Sequence, residues 1–323
     1  MGRWLRCVIC GKVKILITGA GGYIGSVLTE ELLKRGYTVT AYDNLAYNQL
    51  SLLGFFGNKK FTFVSGDVRD HAKLLSCVYE HDVIIPLAAI VGAPACDKFK
   101  VEATAINFTQ VDTILKNISN NQQIIIPNTN SQYGSSEAII TEDSPFKPLS
   151  HYAKTKCDAE KALFDSSNGI SLRLATVFGV SPRMRLDLLV NDFTARAYTD
   201  NFLVLFESHF KRNFIHVRDV AQAFIFMMNN YTKCNNQPYN VGLSTANLTK
   251  LELALAIKKF IPNLVIKEDQ FAQDKDKRNY IVSNDKIENA GWSPNYSLDD
   301  GIREILAAMP ILKNKLDKSF TNL

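Results

Sequence analysis

Tyr152 and Lys156 are the side chains of this sequence best suited to move a proton. They are spaced i, i+4 at the start of a predicted helix, so a phenol and an ammonium lie on one face, one turn apart. A free phenol, with a pKa of about 10, is too protonated at neutral pH to be a strong base. A neighbouring ammonium favours the phenolate, which lets the tyrosine accept a proton. The same spacing also occurs by chance on helices, so the pair needs support from the rest of the chain.

Three glycines near the N-terminus have the spacing of a pyrophosphate site. Gly19, Gly22 and Gly25 form a GxxGxxG pattern directly after an apolar run. The first allows a tight turn, the second lets the backbone approach a pyrophosphate, and the third permits close packing of the next helix. Tyr23 and Ile24 open that helix, whose free N–H groups and positive dipole end attract phosphate. A glycine triplet alone also fits an ordinary turn.

Acidic residues follow the next two predicted strands. Asp43 ends the second strand, where a carboxylate accepts hydrogen bonds from a ribose 2′-hydroxyl and repels a 2′-phosphate. This position predicts NAD rather than NADP, although Asp43 could instead be a turn residue before Asn44. Asp67, just beyond the third strand, is a candidate contact on the adenine side or a turn residue.

Strands and helices alternate from residue 13 onward, which predicts an α/β fold with a Rossmann-type, doubly wound parallel sheet. The predicted strands are 13–18, 38–43, 61–65, 83–87, 124–127 and 171–177, and the predicted helices are 24–35, 71–79, 99–118 and 152–167. Strands of this kind are buried on both faces, so they are apolar along their whole length.

The regular alternation stops after residue 177. We predict a helix at 186–198, short strands at 214–216 and 238–241, and helices at 248–260 and 298–309. These elements indicate a smaller, less regular C-terminal lobe. We therefore expect a dinucleotide domain at 12–178, to which 213–245 returns, a substrate lobe at 179–212 and 246–315, and a flexible extension at 1–11.

Composition excludes several other classes of protein. The chain has 323 residues, 46% of them hydrophobic and 21% charged, as is usual for a soluble globular protein. A net charge of +5 without a dense basic block argues against nucleic acid. No apolar run approaches the roughly 20 residues of a membrane span. Cys7 and Cys10 form a lone CxxC, which predicts no zinc site, and the scattered cysteines fit the reducing cytoplasm.

Taken together, the motifs resemble those of the extended short-chain dehydrogenases/reductases, specifically the NAD-dependent sugar epimerase/dehydratase kind. The resemblance runs from Lys12 to about residue 310. It rests on residues 18–25, Asp43, Asp67, Val68, Leu87, Ala88, Ala89, Asn107, residues 128–134, Tyr152, Lys156 and residues 212–219. The resemblance implies that NAD is held by the glycine segment together with Asp43, Asn44, Asp67, Val68, Leu87, Ala88, Ala89, Asn107, Tyr152 and Lys156.

The resemblance also implies a third catalytic residue. When Tyr133 and Gly134 are aligned with the usual V-Y-G, Thr129 occupies the place of the hydroxyl that bonds the reacting sugar oxygen. Ser131 is a neighbouring hydroxyl. Sugar 4,6-dehydratases carry Asp-Glu directly after this threonine, whereas this chain has Asn130 and Ser131, neither of which is a carboxylic acid or base at neutral pH. We therefore expect no dehydration.

Cationic residues of the C-terminal part match the positions at which similar enzymes hold a sugar-nucleotide diphosphate. A planar guanidinium bonds phosphate oxygens in pairs, although any one arginine could equally be a solvated surface residue. The predicted substrate contacts are Ser131, Arg183, Arg185, Asn191, Arg212 and Arg278.

The resulting hypothesis is NAD-dependent oxidation or reduction at C4 of a nucleotide-diphosphate sugar. The sequence leaves open a 4-epimerase, a C4 dehydrogenase and, in reverse, a 4-ketoreductase. The segment 181–185 suggests, by resemblance, a surface-polysaccharide pathway and an unusual sugar such as a GDP-linked heptose. The alternatives are a reductase or isomerase of apolar ketones, and a non-catalytic NAD-binding module.

The resemblance also implies a homodimer, formed by helices 99–118 and 152–167. Apolar residues recur at i+3 and i+4 steps along the first helix, but the same stripe could belong to the intramolecular core. The stripe consists of Val101, Ala105, Phe108, Val111 and Ile114.

Overall fold

Among the residues that the structure describes, the strands form one large sheet and three small ones. The computed structural model describes residues 13–166, 168–269 and 279–313, and the predicted extension at 1–11 lies outside them. In chain order the strands are β1 (Lys14–Thr18), β2 (Thr38–Asp43), β3 (Phe61–Ser65), β4 (Val83–Pro86), β5 (Gln123–Thr129), β6 (Ile139–Ile140), β7 (Ile170–Leu174), β8 (Thr176–Phe178), β9 (Phe202–Phe206), β10 (Lys211–His216), β11 (Gln237–Val241), β12 (Asn247–Thr249), β13 (Val265–Asp269) and β14 (Ile281–Val282).

Helices separate most of these strands. They are α1 (Tyr23–Lys34), α2 (His71–Tyr79), α3 (Ala93–Lys98), α4 (Lys100–Thr104), α5 (Gln110–Asn117), α6 (His151–Asp165), α7 (Leu189–Asp200), α8 (Val217–Asn229), α9 (Tyr231–Cys234), α10 (Lys250–Lys258), α11 (Asp285–Ala290) and α12 (Leu298–Leu312). Among the helices of the described residues, none is long and apolar enough to cross a membrane.

The large sheet has seven strands in the order β11-β7-β5-β4-β1-β2-β3, and every neighbouring pair is parallel. The prediction of a Rossmann-type, doubly wound α/β fold is confirmed. The chain starts in the middle at β1, builds outward through β2 to β3, and then returns to β4 on the other side of β1. In such sheets a ligand crevice opens outside the carboxyl ends of the strands at this reversal of order.

The central strands are buried on both faces, which explains why they are apolar throughout. Ile15 and Ile17 of β1 point into a core shared with α1 and α8, whereas Leu16 between them points into a core shared with α2, α5 and α6. Each of these three side chains is fully buried. Alternate residues of one strand thus supply two separate helix–sheet layers.

Two predicted elements are divided in the structure. The predicted strand 171–177 is two strands, because β7 pairs with β5 and β11 while β8 pairs with β10 in a three-stranded sheet. The predicted helix 99–118 contains a π-helical segment, Ala105–Thr109, between α4 and α5. Single π turns of this kind often lie next to functional sites.

A smaller group of elements covers the carboxyl ends of the large sheet. It contains the two-stranded sheet β13-β9, the three-stranded sheet β12-β10-β8, and helices α7, α10 and α12. Strand β11 lies in the large sheet beside β7. The division into two domains at the predicted boundaries stays a prediction.

Candidate active site

A cavity of about 1360 Å³ opens at the carboxyl ends of β1, β2, β4 and β5, where the strand order reverses. The structure brings most of the predicted site residues together in its wall. Those lining it are Gly19, Gly22, Tyr23, Ile24, Gly25, Asp43, Asn44, Asp67, Val68, Leu87, Ala88, Ala89, Thr129, Ser131, Tyr152, Lys156, Arg183, Arg185 and Arg212. Asn107 and Asn191 are buried behind this wall, and Arg278 lies outside the described residues.

The glycine segment between β1 and α1 forms the floor of the cavity. Gly19 has a φ of +68°, and a side chain there would lie 2.6 Å from the backbone nitrogen of Ala88. A side chain at Gly25 would overlap the carbonyl oxygen of Gly19. Gly22 precedes the first residue of α1, so the start of this helix faces the cavity with N–H groups that have no partner within the helix.

Asp43 at the end of β2 faces both the glycine segment and the cavity. Its carboxylate accepts hydrogen bonds from the backbone nitrogens of Gly21 at 2.9 Å and Leu45 at 2.7 Å, and from Nε2 of Gln49 at 3.3 Å. Burial raises its pKa, and these hydrogen bonds oppose the increase. Asp43 therefore closes the turn into Leu45 and also borders the cavity, and its predicted contact with a ribose stays a prediction.

Asp67, after β3, is held by its neighbours. Arg69 donates to it through Nε at 2.9 Å and Nη2 at 2.7 Å, and Asn44 donates through Nδ2 at 3.2 Å. The guanidinium of Arg69 is the main cause that lowers the pKa of Asp67 to about 2. At neutral pH Asp67 is therefore ionised, and its negative charge is paired with the guanidinium of Arg69.

Thr129 and Tyr152 border the same end of the cavity. Thr129 ends β5, and its Oγ1 donates to Oγ of Ser131 at 3.0 Å and accepts from the Ser131 backbone nitrogen at 3.1 Å. Tyr152 lies in the first turn of α6, whose N-terminus is capped by Ser150, with Oγ accepting from the nitrogen of Ala153 at 3.2 Å. A hydroxyl at a strand end and a phenol at a helix start thus both line this cavity.

Lys156 is one turn beyond Tyr152 and is almost completely buried. Its Nζ donates to the carbonyl oxygen of Pro127 in β5 at 3.1 Å. Burial lowers the pKa of this ammonium to about 8. The lysine is therefore still predominantly charged at neutral pH.

Asn107 and Asn191 hold the wall of the cavity from behind. Asn107, in the π segment, pairs with the backbone nitrogen and oxygen of Ile90 at 2.9 Å each and donates to Thr155 of α6 at 3.2 Å. Asn191 of α7 accepts from the nitrogen of Gly179 at 3.0 Å and donates to the hydroxyl of Tyr23 at 3.2 Å. Neither is among the cavity-lining residues, so their contacts in this structure position the wall, and the ligand contacts predicted from the sequence stay predictions.

Three arginines from the C-terminal half of the chain also line the cavity. Arg183 is 4% exposed, donates to the carbonyl oxygen of Met184 at 3.0 Å and lies 4.5 Å from the ring centroid of Tyr47. Arg185 forms a two-point pair with Asp187, with distances of 3.1 Å and 2.5 Å. Arg212 is 3% exposed and lies 5.8 Å from the ring centroid of Tyr280.

Lys250 is a cavity residue that the sequence analysis missed. It is the first residue of α10, is 4% exposed, and donates through Nζ to the carbonyl oxygen of Phe206 at 2.8 Å. A cation at a helix N-terminus is unfavourable, because the positive end of the helix dipole lies there. Lys250 directly follows Thr249, which caps α10 together with Glu252, and this T-K-x-E pattern was the signal that could have identified it. Among the described residues, no group of His, Cys, Asp and Glu side chains could hold a metal ion.

The chain that forms this site matches one family of known proteins. The sequence model of the NAD dependent epimerase/dehydratase family matches residues 15–242. The low-salt glycan biosynthesis protein Agl12 of Haloferax volcanii is 28% identical over 89% of this chain and 96% of its own length. A Bacillus subtilis protein named as the uncharacterized UDP-glucose epimerase YtcB is 30% identical over 76% of this chain and 79% of its own length. The crystal structure of a Bacillus cereus UDP-glucuronic acid 4-epimerase has the same fold, with a TM-score of 0.81 at 24% identity, covering 93% of this chain and all of that one.

Proposed function

The chain belongs to the NAD dependent epimerase/dehydratase family, and from that membership we propose that it oxidises C4 of a nucleotide-diphosphate sugar. NAD is the cofactor of this family and, when bound, supplies the hydride acceptor. The glycine segment and Asp43 would hold its pyrophosphate and adenine ribose. The carboxylate of Asp43 favours a free ribose 2′-hydroxyl over a 2′-phosphate.

One observation carries the proposal. A single cavity is lined by the glycine segment, by Thr129, Tyr152 and Lys156, and by the cations Arg183 and Arg212. A dinucleotide and an anionic sugar nucleotide could thus be bound in the same cavity, which also contains the phenol. Buried guanidinium groups suit a diphosphate, whereas an apolar ketone has no group that would pair with them.

The proposed chemistry follows from the positions of three side chains. Tyr152 removes the proton of the C4 hydroxyl as the C4 hydride leaves. When the sugar binds, the Oγ1 hydrogen of Thr129 would turn from Ser131 to the same sugar oxygen and hold that oxygen near the phenol. Lys156 keeps a positive charge one helical turn from the phenol, which favours the phenolate, and it would bind the nicotinamide ribose.

The residue after Thr129 supports an outcome without loss of water. Asn130 is 1% exposed and is not among the cavity-lining residues, and Ser131 carries only a hydroxyl toward the cavity. A carboxylic acid that could protonate a leaving hydroxyl is therefore missing from both positions. This agrees with a 4-epimerase, which returns the hydride to the other face, or with a C4 dehydrogenase, which releases the keto sugar.

The names of similar proteins point to the same substrate class. Agl12 is named for glycan biosynthesis and YtcB for UDP-glucose epimerisation. We propose that this chain also acts on a nucleotide sugar for a polysaccharide, with a GDP-linked heptose as the candidate from the sequence. A cytoplasmic location is part of the same proposal.

The decisive experiment offers the NAD-loaded protein a panel of UDP-, GDP- and dTDP-sugars, including GDP-heptoses, and follows the products by NMR. A 4-keto product identifies a dehydrogenase, and an inverted C4 identifies an epimerase. 4-Keto nucleotide sugars with NADH test the reverse ketoreductase. The Tyr152→Phe variant is the control and should lose turnover by about 10²- to 10⁴-fold. Absence of C4 chemistry with every nucleotide sugar would overturn the proposal.

A homodimer remains a prediction. Of the apolar stripe expected to form the interface, Val111 and Ile114 are buried in the core of the same chain, whereas Val101 of α4 is 80% exposed. Only the N-terminal part of the stripe is therefore available to a second copy. Light scattering of the purified protein, compared with a Val101→Lys variant, tests this interface.

A further inference from the structure

Glu160 is a buried carboxylate that the proposed chemistry does not use. It lies on α6, one turn beyond Lys156, and its side chain is 2% exposed. Arg173 of β7, with a side chain 4% exposed, donates to it through Nη2 at 2.5 Å and through Nε at 3.1 Å. A buried ion pair of this kind contributes little net stability, because removing two charges from water offsets their attraction. Its place behind the catalytic wall suggests a different role.

In the described structure the Glu160 carboxylate is the acceptor in each of its hydrogen bonds. Besides Arg173, Oγ of Ser171 donates to Oε2 at 2.5 Å, and Nδ2 of Asn128 donates to the same oxygen at 2.7 Å. A carboxylate can only accept hydrogen bonds. Its partners must therefore present N–H or O–H groups to it.

Asn128 connects the Glu160 carboxylate to Thr129 in the cavity wall. With Nδ2 directed at Glu160, its Oδ1 accepts from the backbone nitrogen of Thr129 at 2.8 Å. The same Nδ2 also lies 3.2 Å from the carbonyl oxygen of Lys156. If the amide rotated by half a turn, its oxygen would face the oxygens of Glu160 and Lys156, and its NH₂ would face the N–H of Thr129. Only one orientation of the amide satisfies all of these groups.

We propose that Glu160 is a positioning residue, which fixes the amide of Asn128 and thereby sets the position of Thr129 relative to the helical turn of Lys156. Arg173 donates to both oxygens of this carboxylate and so holds it in place next to Asn128. The inference rests on the proposed function for the roles of Thr129 and Lys156. It goes beyond that function because it gives Glu160, a buried side chain outside the ligand site, the role of setting the distance between Thr129 and Lys156.

The test compares Glu160→Gln with Asn128→Ala in the NAD-loaded protein. Glu160→Gln introduces an NH₂ group, so it no longer forces the orientation of Asn128. Asn128→Ala removes the bridge but keeps the Glu160–Arg173 pair. Asp158→Asn is the matched control, because Asp158 lies on the same helix in an exposed ion pair with Lys154 at 3.2 Å.

Two measurements separate positioning from general support of the fold. The first is the kcat and KM of nucleotide-sugar turnover, for which we expect kcat to decrease by about 10- to 100-fold in both variants with KM nearly constant. The second is the exchange rate of the Thr129 amide hydrogen by NMR, which we expect to increase by about tenfold or more in both. Asp158→Asn should match the natural chain in both measurements.

The outcomes are distinct. If Asn128→Ala keeps its kcat and Glu160→Gln keeps the slow exchange of the Thr129 amide, the pair supports only the fold and the proposal is wrong. If Glu160→Gln does not fold, Asn128→Ala alone decides through its kcat. If the natural chain turns over no nucleotide sugar, the proposed function fails. The exchange rate in Glu160→Gln then still decides the inference, since it needs no substrate.

Discussion

The hydroxyl of Tyr23 donates a hydrogen bond to the carbonyl oxygen of Gly179 at 2.6 Å. This contact joins the first turn of the dinucleotide helix α1 to the segment that follows β8. The same hydroxyl accepts from Nδ2 of Asn191 at 3.2 Å, and Oγ of Ser181 donates to the Tyr23 carbonyl oxygen at 2.7 Å. Burial raises the pKa of Tyr23, so the hydroxyl stays protonated and remains a donor. Tyr23 thus connects the start of α1, next to the glycine segment, with the segment after β8 and with α7.

Tyr23→Phe should loosen this connection. The substitution leaves the Gly179 carbonyl oxygen without the donor that it has in Tyr23, which should destabilise the fold by about 1–3 kcal/mol. Asn191 loses one acceptor but still donates to the carbonyl oxygen of Arg185 at 2.8 Å. Urea unfolding measures the loss, and the KM for the nucleotide sugar should increase. The matched control is Tyr79→Phe, because the Tyr79 hydroxyl donates to Asn117 at 3.2 Å on the exposed surface. Equal losses in the two variants would show that the Tyr23 contact has no special role.

Lys156→Met should abolish activity while making the protein more stable. The pKa of the buried Lys156 is about 8, below its usual 10.5. Between these pH values the unfolded chain holds a proton that the folded chain does not, so stability should increase with pH across this interval. Below about pH 8 the full penalty of burying the charge is present, on the order of 3 kcal/mol. Methionine has a similar length and no charge.

Unfolding of NAD-free protein by urea at pH 7 and at pH 10 checks this prediction. The variant should be more stable than the natural chain at pH 7, and the difference should shrink at pH 10. Its turnover should decrease by about 10²-fold or more at pH 7. A stability difference that stays constant between the two pH values would contradict the proposed origin in the charge of Lys156.

Gly25→Ala should prevent NAD from binding. An added methyl group would overlap the carbonyl oxygen of Gly19, so the glycine segment would have to move away from α1. We expect titration calorimetry to show at least a tenfold loss of NAD affinity. Gly54→Ala is the control, because a methyl group there meets nothing within 4 Å. If both variants bind NAD as the natural chain does, the close approach at Gly25 is not needed.

The sequence was most informative where structure is local. The strands Thr38–Asp43 and Phe61–Ser65 have their predicted bounds. The first is buried over most of its length, whereas the second is an edge strand whose residues are half-buried or exposed. The glycine spacing and the Tyr152–Lys156 spacing likewise act within one turn and one helix. Residues identified by these local patterns line the cavity in the structure.

Contacts between distant segments could not be predicted in this way. The strand predicted at 171–177 divides at Ala175, because the two halves find different partners, β11 and β10, far along the chain. Asn107 and Asn191 were assigned to ligands, yet their amides are used by Ile90 and by Tyr23. Such pairings depend on which segments the fold brings together.

Lys250→Met should weaken the binding of the substrate diphosphate. Lys250 is buried in the wall of the cavity on the side of Arg183 and Arg212, at a helix N-terminus where a cation is unfavourable for the fold. We therefore expect the binding of a nucleoside diphosphate to the NAD-loaded protein to weaken by about tenfold, or 1.4 kcal/mol. Binding of the uncharged nucleoside should not change, because only the phosphates interact with the ammonium. Lys259→Met, an exposed lysine at the other end of α10, is the control. Calorimetry with both ligands distinguishes the cases, and an equal loss for nucleoside and diphosphate would place Lys250 outside the phosphate site.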